Sequence, residues 1–197
     1  MTTQKSYGDQ TLKDFVMVQR NLIPKNLCDY IIDDSKKKEW RPHTWYNSQT
    51  DTFGSEETKE LDVQNVNDEI QNLLTPFIIK SGANYNAQFA FDDERTRQIM
   101  YKFSKVRLNR YSPGQIMRFH QDHISSLFSG ENRGIPVLSF ILNFNDDYDG
   151  GELVLWKDHP IKLGCGDVLI FPSLFMFPHS VNEVTRNHRY SGVAWSW

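Results

Sequence analysis

IPVLSFILNFNDDYDGGELVLW, residues 135–156, holds the pattern on which the fold turns. Two runs rich in branched and aromatic side chains, 135–144 and 151–156, enclose the acidic, glycine-ending turn DDYDGG (146–151). Short runs of that kind bounded by turn residues read as β-strands. The pattern continues in both directions. AQFAF (87–91), KVRLNRY (105–111) and QIMRFHQDH (115–123) precede it, and DVLIFP (167–172) and RYSGVAWSW (189–197) follow. SPG (112–114) and GCGD (164–167) supply further turns. Many short strands at this spacing argue for a sandwich or a jelly roll, in which two sheets bury their apolar faces against each other.

The first third has a different period. IPKNLCDYIIDDSKKKEW (23–40) opens on Pro24 and sets Leu27, Tyr30 and Ile31 at helical spacing. VQNVNDEIQNLLTPFIIKSG (63–82) repeats the signal through Val66, Ile70, Leu73, Leu74 and Phe77, with Pro76 predicting a kink or break and Gly82 a stop. The polar stretch 41–60 between them reads as a surface loop. The expectation is an α+β protein of one domain, 1–197, with helices packed outside one sheet.

Composition narrows the function classes. Of 197 residues, 13% are aromatic and 24% charged, which is globular and not disordered. The net charge of −3 offers no general attraction to phosphate, so nucleic acid is not an expected partner. The dense basic run Lys36–Lys38 reads as a solvated helix face. Cys28 and Cys165 lie far apart without further cysteines at metal-ligand spacing, which fits a reducing compartment. The N-terminal MTTQKSYGDQ is polar and no apolar stretch reaches membrane-span length, so a soluble cytoplasmic or otherwise intracellular protein is expected.

RFHQDH (118–123) concentrates the chemistry. Alternate strand residues share a face, so His120 and Asp122 point together, away from Gln121 and His123. Imidazole plus carboxylate without sulfur suits Fe(II), Mn(II) or Zn(II). Two ligands do not make a site, and alone the pair reads equally as solvent-facing polar residues. His159, His179 and His188 are the downstream candidates for a third. His159 sits in the turn-like KDHP, and His188 adjoins Arg189, so those two point oppositely. His179 follows directly on the apolar run ending in LFMFP, where a polar side chain needs a reason. With His120 and Asp122 it completes two histidines and one carboxylate, the facial triad of non-haem Fe(II) oxygenases.

LNRYSPGQIMRFHQD (108–122), LSFILNFNDDYDGGELVLW (138–156), KLGCGDVLIFPS (162–173) and HSVNEVTRNHRYSGVAWSW (179–197) together resemble the 2-oxoglutarate and Fe(II)-dependent oxygenase superfamily, in its prolyl 4-hydroxylase-like branch. The resemblance implies a double-stranded β-helix (jelly-roll) catalytic core over 87–197, with 1–86 as mainly helical N-terminal support. It implies Fe(II) held by His120, Asp122 and His179, with 2-oxoglutarate and O2 as cosubstrates and ascorbate as an optional reductant. Arg189, ten positions after His179, stands where the family keeps the cation for the far carboxylate of 2-oxoglutarate. Ser191 on the same strand face could add a hydrogen bond, and Arg186 in the preceding turn is a weaker competitor. Tyr111 stands where related hydroxylases bind 2-oxoglutarate. No catalytic side chain is assigned beyond the metal centre. The glycines of GGELVLW, with Gly166 and Asp167, read as structural, and His43 and His123 receive no role.

The implied reaction is hydroxylation of a proline in a peptide or protein partner, with release of succinate and CO2. Two rival readings stand beside it: the same chemistry on a free amino acid, small metabolite or nucleobase, and a jelly-roll binding module without catalysis. Substrate choice would reside in FDDERTRQIMYKFSK (91–105) and ISSLFSGENRG (124–134).

Overall fold

The computed structural model describes residues 9–47, 52–54, 60–88, 102–122 and 136–197. After a 3-10 turn at Leu12–Phe15 come β1 (Met17–Gln19), α1 (Lys25–Ser35), β2 (Arg41–Pro42), β3 (Trp45–Asn47), β4 (Thr52–Gly54), β5 (Asp62–Asn65) and α2 (Asp68–Gln88). The remaining elements are strands: β6 (Arg107–Tyr111), β7 (Met117–His120), β8 (Leu138–Asn143), β9 (Asp149–Gly150), β10 (Leu153–Leu155), β11 (His159–Ile161), β12 (Val168–Pro172), β13 (His179–Val181), β14 (Val184–Arg186) and β15 (Arg189–Ser196). A major sheet runs β1-β12-β8-β15-β6-β5-β2, and a minor sheet runs β11-β10-β13-β7. The strand ladders in both are antiparallel.

Strand alternation divides the core in two. Leu138, Phe140, Leu142, Ile170 and Ala194 point from the major sheet toward the helices, where they meet Cys28, Ile31, Ile70, Leu74 and Ile78. Ile141, Leu169, Phe171 and Val193 point the other way, onto Leu153, Leu155 and Ile161 of the minor sheet. The jelly-roll expectation holds, with both helices outside the major sheet as anticipated. β8 is buried along its whole length because it is covered on both faces.

Three local expectations need correction. The stretch read as helical support also delivers β1, β2 and β5 to the edges of the major sheet. Strands of two to four residues carry too few positions to show a period. The anticipated break at Pro76 and stop at Gly82 do not occur, since α2 runs through both. Proline removes one intrahelical bond, to the carbonyl of Asn72, and Asn72 lies on the exposed side where water can take that bond. Ser81 and Gly82 are buried against the sheet, and the Gln19 side chain donates to the Ser81 carbonyl at 2.8 Å. Finally, AQFAF begins as the end of α2, and its residues 89–91 lie outside the described residues.

The glycines and the aspartate expected to be structural are so. The Asp167 carboxylate accepts from the backbone N–H groups of Asn21 (2.9 Å) and Gly164 (2.7 Å) and from Arg20 (2.6 Å), tying the end of β1 to the GCGD turn. The run Lys36–Lys38, expected on a helix face, lies instead in the turn after α1, where Lys36 and Lys38 pair back with Asp33 and Asp34. Among the described residues, no helix is long and apolar enough to cross a membrane.

Candidate metal centre and its pocket

β7 ends on His120 and β13 begins on His179, and the antiparallel register sets the two residues directly opposite each other. Their rings lie 4.3 Å apart, centroid to centroid. Asp122 follows two residues after His120 and returns to the same side. Its Oδ1 is 3.6 Å from His120 Nε2 and 3.9 Å from His179 Nε2, and the three candidate ligand atoms all lie within 4.8 Å of one another. The three side chains predicted to meet are therefore brought together.

The proton positions of the imidazoles follow from their second nitrogens. His120 Nδ1 lies 2.7 Å from the Arg118 carbonyl oxygen, and His179 Nδ1 lies 3.1 Å from that of Phe177. A carbonyl oxygen only accepts, so each Nδ1 carries the hydrogen and each neutral ring turns a bare Nε2 inward. Two lone pairs and a carboxylate converging on one point repel unless a cation sits among them. The donor set, nitrogen and oxygen without sulfur, fits Fe(II).

The surroundings hold the carboxylate in that role. Ser139 on β8 donates to Asp122 Oδ2 at 2.6 Å and is itself 2.6 Å from the Ser173 hydroxyl. Burial alone would raise the Asp122 carboxyl, but without a metal the His179 and His120 imidazoles, when protonated, and the Ser139 hydroxyl outweigh it and hold it below the usual carboxylate range; a bound cation would take over the role of those protons. Burial pushes His179 down, toward the neutral form that a ligand needs.

Arg189, the first residue of β15, pairs in register with Tyr111 on β6. It is 1% exposed, its guanidinium carbon lies 5.1 Å from the Tyr111 ring centroid, and its Nε donates to the Tyr148 hydroxyl at 3.3 Å. Among the described residues no carboxylate pairs with it. Gly151 makes room beside it: φ is +68°, and a Cβ there would stand 3.1 Å from Arg189 Cδ and 2.9 Å from Val184 Cγ2. Arg189, Tyr111 and Ser191 line one pocket with His120, Asp122 and His179, and Ile141, Leu153, Val181 and Val193 add apolar wall.

The remaining candidates lie elsewhere. His159 is a strand residue with its ring tilted against Trp156 at 5.7 Å, not part of a turn. His188 is exposed beside Tyr190, and Arg186 is exposed and pairs with Asp149. His123 lies outside the described residues, as do 124–134 and most of 91–105. Sequence reasoning missed Arg107 and Asn109, which line the pocket, and Ser139, which steadies Asp122. It also missed the pairing of buried His43 and Glu60 side chains with the half-exposed Arg118, in which Glu60 reaches His43 Nδ1 (3.4 Å) and Arg118 Nε (2.7 Å). Arg107 and Asn109 alternate with Tyr111 on one strand, a signal that was available.

Residues 106–197 match the 2OG-Fe(II) oxygenase superfamily. A PKHD-type hydroxylase of Stenotrophomonas maltophilia is 34% identical over 99 residues, covering 48% of this chain and 43% of that protein. PKHD-type hydroxylase PiuC of Pseudomonas aeruginosa is 37% identical over 94 residues, covering 45% and 41%. The chain thus spans about two-fifths of the length of the curated relatives it matches. A prolyl-4-hydroxylase of Pseudomonas putida superposes with a TM-score of 0.64 at 18% identity, over 92% of this chain and 91% of that one. A Trichoplax adhaerens prolyl hydroxylase, solved with a peptide fragment, gives 0.67 at 12% identity, over 93% and 84%. At such identities the structures establish the shared fold. The stretch that matches the 2OG-Fe(II) oxygenase superfamily, residues 106–197, is the one that carries His120, Asp122, His179 and Arg189.

Proposed function

We propose that the protein is an Fe(II)- and 2-oxoglutarate-dependent dioxygenase that hydroxylates a proline within a peptide, releasing succinate and CO2, and that 1–197 works as one catalytic domain. The observation that carries the reading is the joint lining of one pocket by a convergent His-Asp-His set and a buried arginine without a carboxylate partner among the described residues. Bound Fe(II) and 2-oxoglutarate would supply the oxidative chemistry, and the protein positions them. His120 and His179 would ligate through Nε2 and Asp122 through Oδ1. Ser139 keeps the carboxylate turned inward. The Arg189 guanidinium would pair with the far carboxylate of 2-oxoglutarate, a bidentate match between planar groups. The Tyr111 hydroxyl, beside Arg189 and Asn109, would donate to the same carboxylate. Ile141, Leu153, Val181 and Val193 exclude water, which strengthens those charge interactions.

The proline substrate draws support from the relatives, named hydroxylases, and from the prolyl hydroxylases that share the fold. A peptide also gains binding energy away from the reacting carbon, and that energy can fix its position. Mass spectrometry of a panel of proline-containing peptides should show a gain of one oxygen on proline, lost in His179→Ala. Free proline, lacking the remote contacts, should turn over poorly. Efficient oxidation of free amino acids or nucleobases with every peptide inert would contradict the substrate.

A further inference from the structure

Arg107 is the pocket residue for which the roles above leave no use. It shares a face of β6 with Asn109 and Tyr111 and lines the same pocket as the metal ligands. Its Nε donates to Asn109 Oδ1 at 3.2 Å, and its guanidinium carbon lies 5.5 Å from the centroid of the Trp195 ring. Neither neighbour is an anion. Arg20, Arg110, Arg118 and Arg186 each hold a carboxylate. Arg107 and Arg189, the two that line the pocket, hold none among the described residues. Asp122, the pocket's carboxylate, turns Oδ1 toward the histidines and accepts from Ser139 at Oδ2, and it acts on Arg107 through space. Burial is the main influence on Arg107 and lowers its proton affinity, as expected of a cation taken from water. A half-buried guanidinium held by its Nε and lying over an indole presents its remaining N–H donors to a planar anion.

We propose that Arg107 is a second carboxylate-binding residue of this pocket, at the end remote from Arg189. On the β6–β15 ladder Tyr111 lies opposite Arg189 and Arg107 opposite Val193. Four residues of strand separate the two arginines by roughly 13 Å along the backbone. An extended five-carbon diacid, with C–C bonds of about 1.5 Å, separates its carboxyl carbons by only about 5 Å. The remaining roughly 8 Å lies within the combined reach of two arginine side chains, so a carboxylate at Arg107 comes either from the metal-proximal end of 2-oxoglutarate or from the substrate to be oxidised, as a free C-terminus or an acidic side chain. The inference rests on the 2-oxoglutarate reading given above.

Calorimetry on Mn(II)-loaded protein separates the sources. One arm compares 2-oxoglutarate binding to the parent, Arg107→Gln and Arg107→Lys. The other, at saturating 2-oxoglutarate, compares N-acetylproline with its uncharged amide. A loss of tenfold or more for 2-oxoglutarate in Arg107→Gln, eased by lysine, assigns the cosubstrate. A preference of the parent for the acid over the amide, abolished in Arg107→Gln with amide affinity unchanged, assigns the substrate. Mn(II) affinity measured alone must match the parent, because an equal fall there would make Arg107 a support for Asp122 and overturn the proposal. Unchanged binding in both arms overturns it too, with Arg107→Lys deciding should the glutamine variant not fold. A parent that does not bind 2-oxoglutarate defeats the oxygenase reading itself, a distinct result.

Discussion

Ser139 shows how one hydroxyl can steady a candidate metal ligand. Its hydrogen bond to Asp122 Oδ2 fixes the carboxylate while Oδ1 faces the histidines. Such supporting bonds are commonly worth about 10–100-fold in metal affinity. Ser139→Ala should therefore weaken Mn(II) binding by that order with the fold intact, and calorimetry that shows parental affinity would remove Ser139 from the account. His43 makes a different prediction. Burial, with Arg107 nearby, lowers its pKa from 6.5 to about 4 in the folded protein. Between those values the unfolded chain binds a proton that the folded chain refuses, so stability falls as pH drops from about 6.5 toward 4. Urea midpoints at pH 7 and pH 5 should differ less in His43→Gln than in the parent; an identical drop in both would assign the acid sensitivity elsewhere. These residues differ in how readily sequence shows them. His120 and Asp122 are legible because the two-residue strand period puts them on one face, and His179 because it is polar directly after an apolar run. Arg107 and Asn109 obey the same alternation with Tyr111. Ser139 and His43 act across register and loop closure, which local pattern does not encode.

Among elements, α2 tests the limits of local propensity. Pro76 sits in an exposed helix interior, and the helix persists because Ile70, Leu74, Ile78 and Tyr85 pack into the core. Packing of an apolar face outweighs a missing hydrogen bond and a ring clash of about 3 kcal/mol. Proline also restricts the unfolded chain, which returns roughly 0.4–1 kcal/mol. Pro76→Ala should thus stabilise the protein by about 2 kcal/mol, visible as a higher urea midpoint at unchanged slope. A lower midpoint would mean that the ring contributes packing of its own. The same competition explains which strands were legible. β8, β12 and β15 announce themselves as apolar runs, whereas β1, β2 and β5 owe their existence to an available sheet edge.

At the scale of the molecule, two sheets enclose a pocket whose charged residues come from separate strands. In the minor sheet β7 ends and β13 begins on a candidate metal ligand, while β6 and β15 of the major sheet carry Tyr111 and Arg189. Stacking the sheets is what faces the arginine toward the His-Asp-His set, so fold and site form together. The central claim is that this pocket couples a metal to 2-oxoglutarate. Its most direct test is succinate formation by purified protein with proline-containing peptide, omitting Fe(II), O2 or 2-oxoglutarate in turn, for the parent and Asp122→Ala. The account predicts succinate only from the parent and only with all three present, and none from Asp122→Ala even though it stays folded. Succinate from Asp122→Ala at the parental rate, or none from the fully supplied parent, would contradict it.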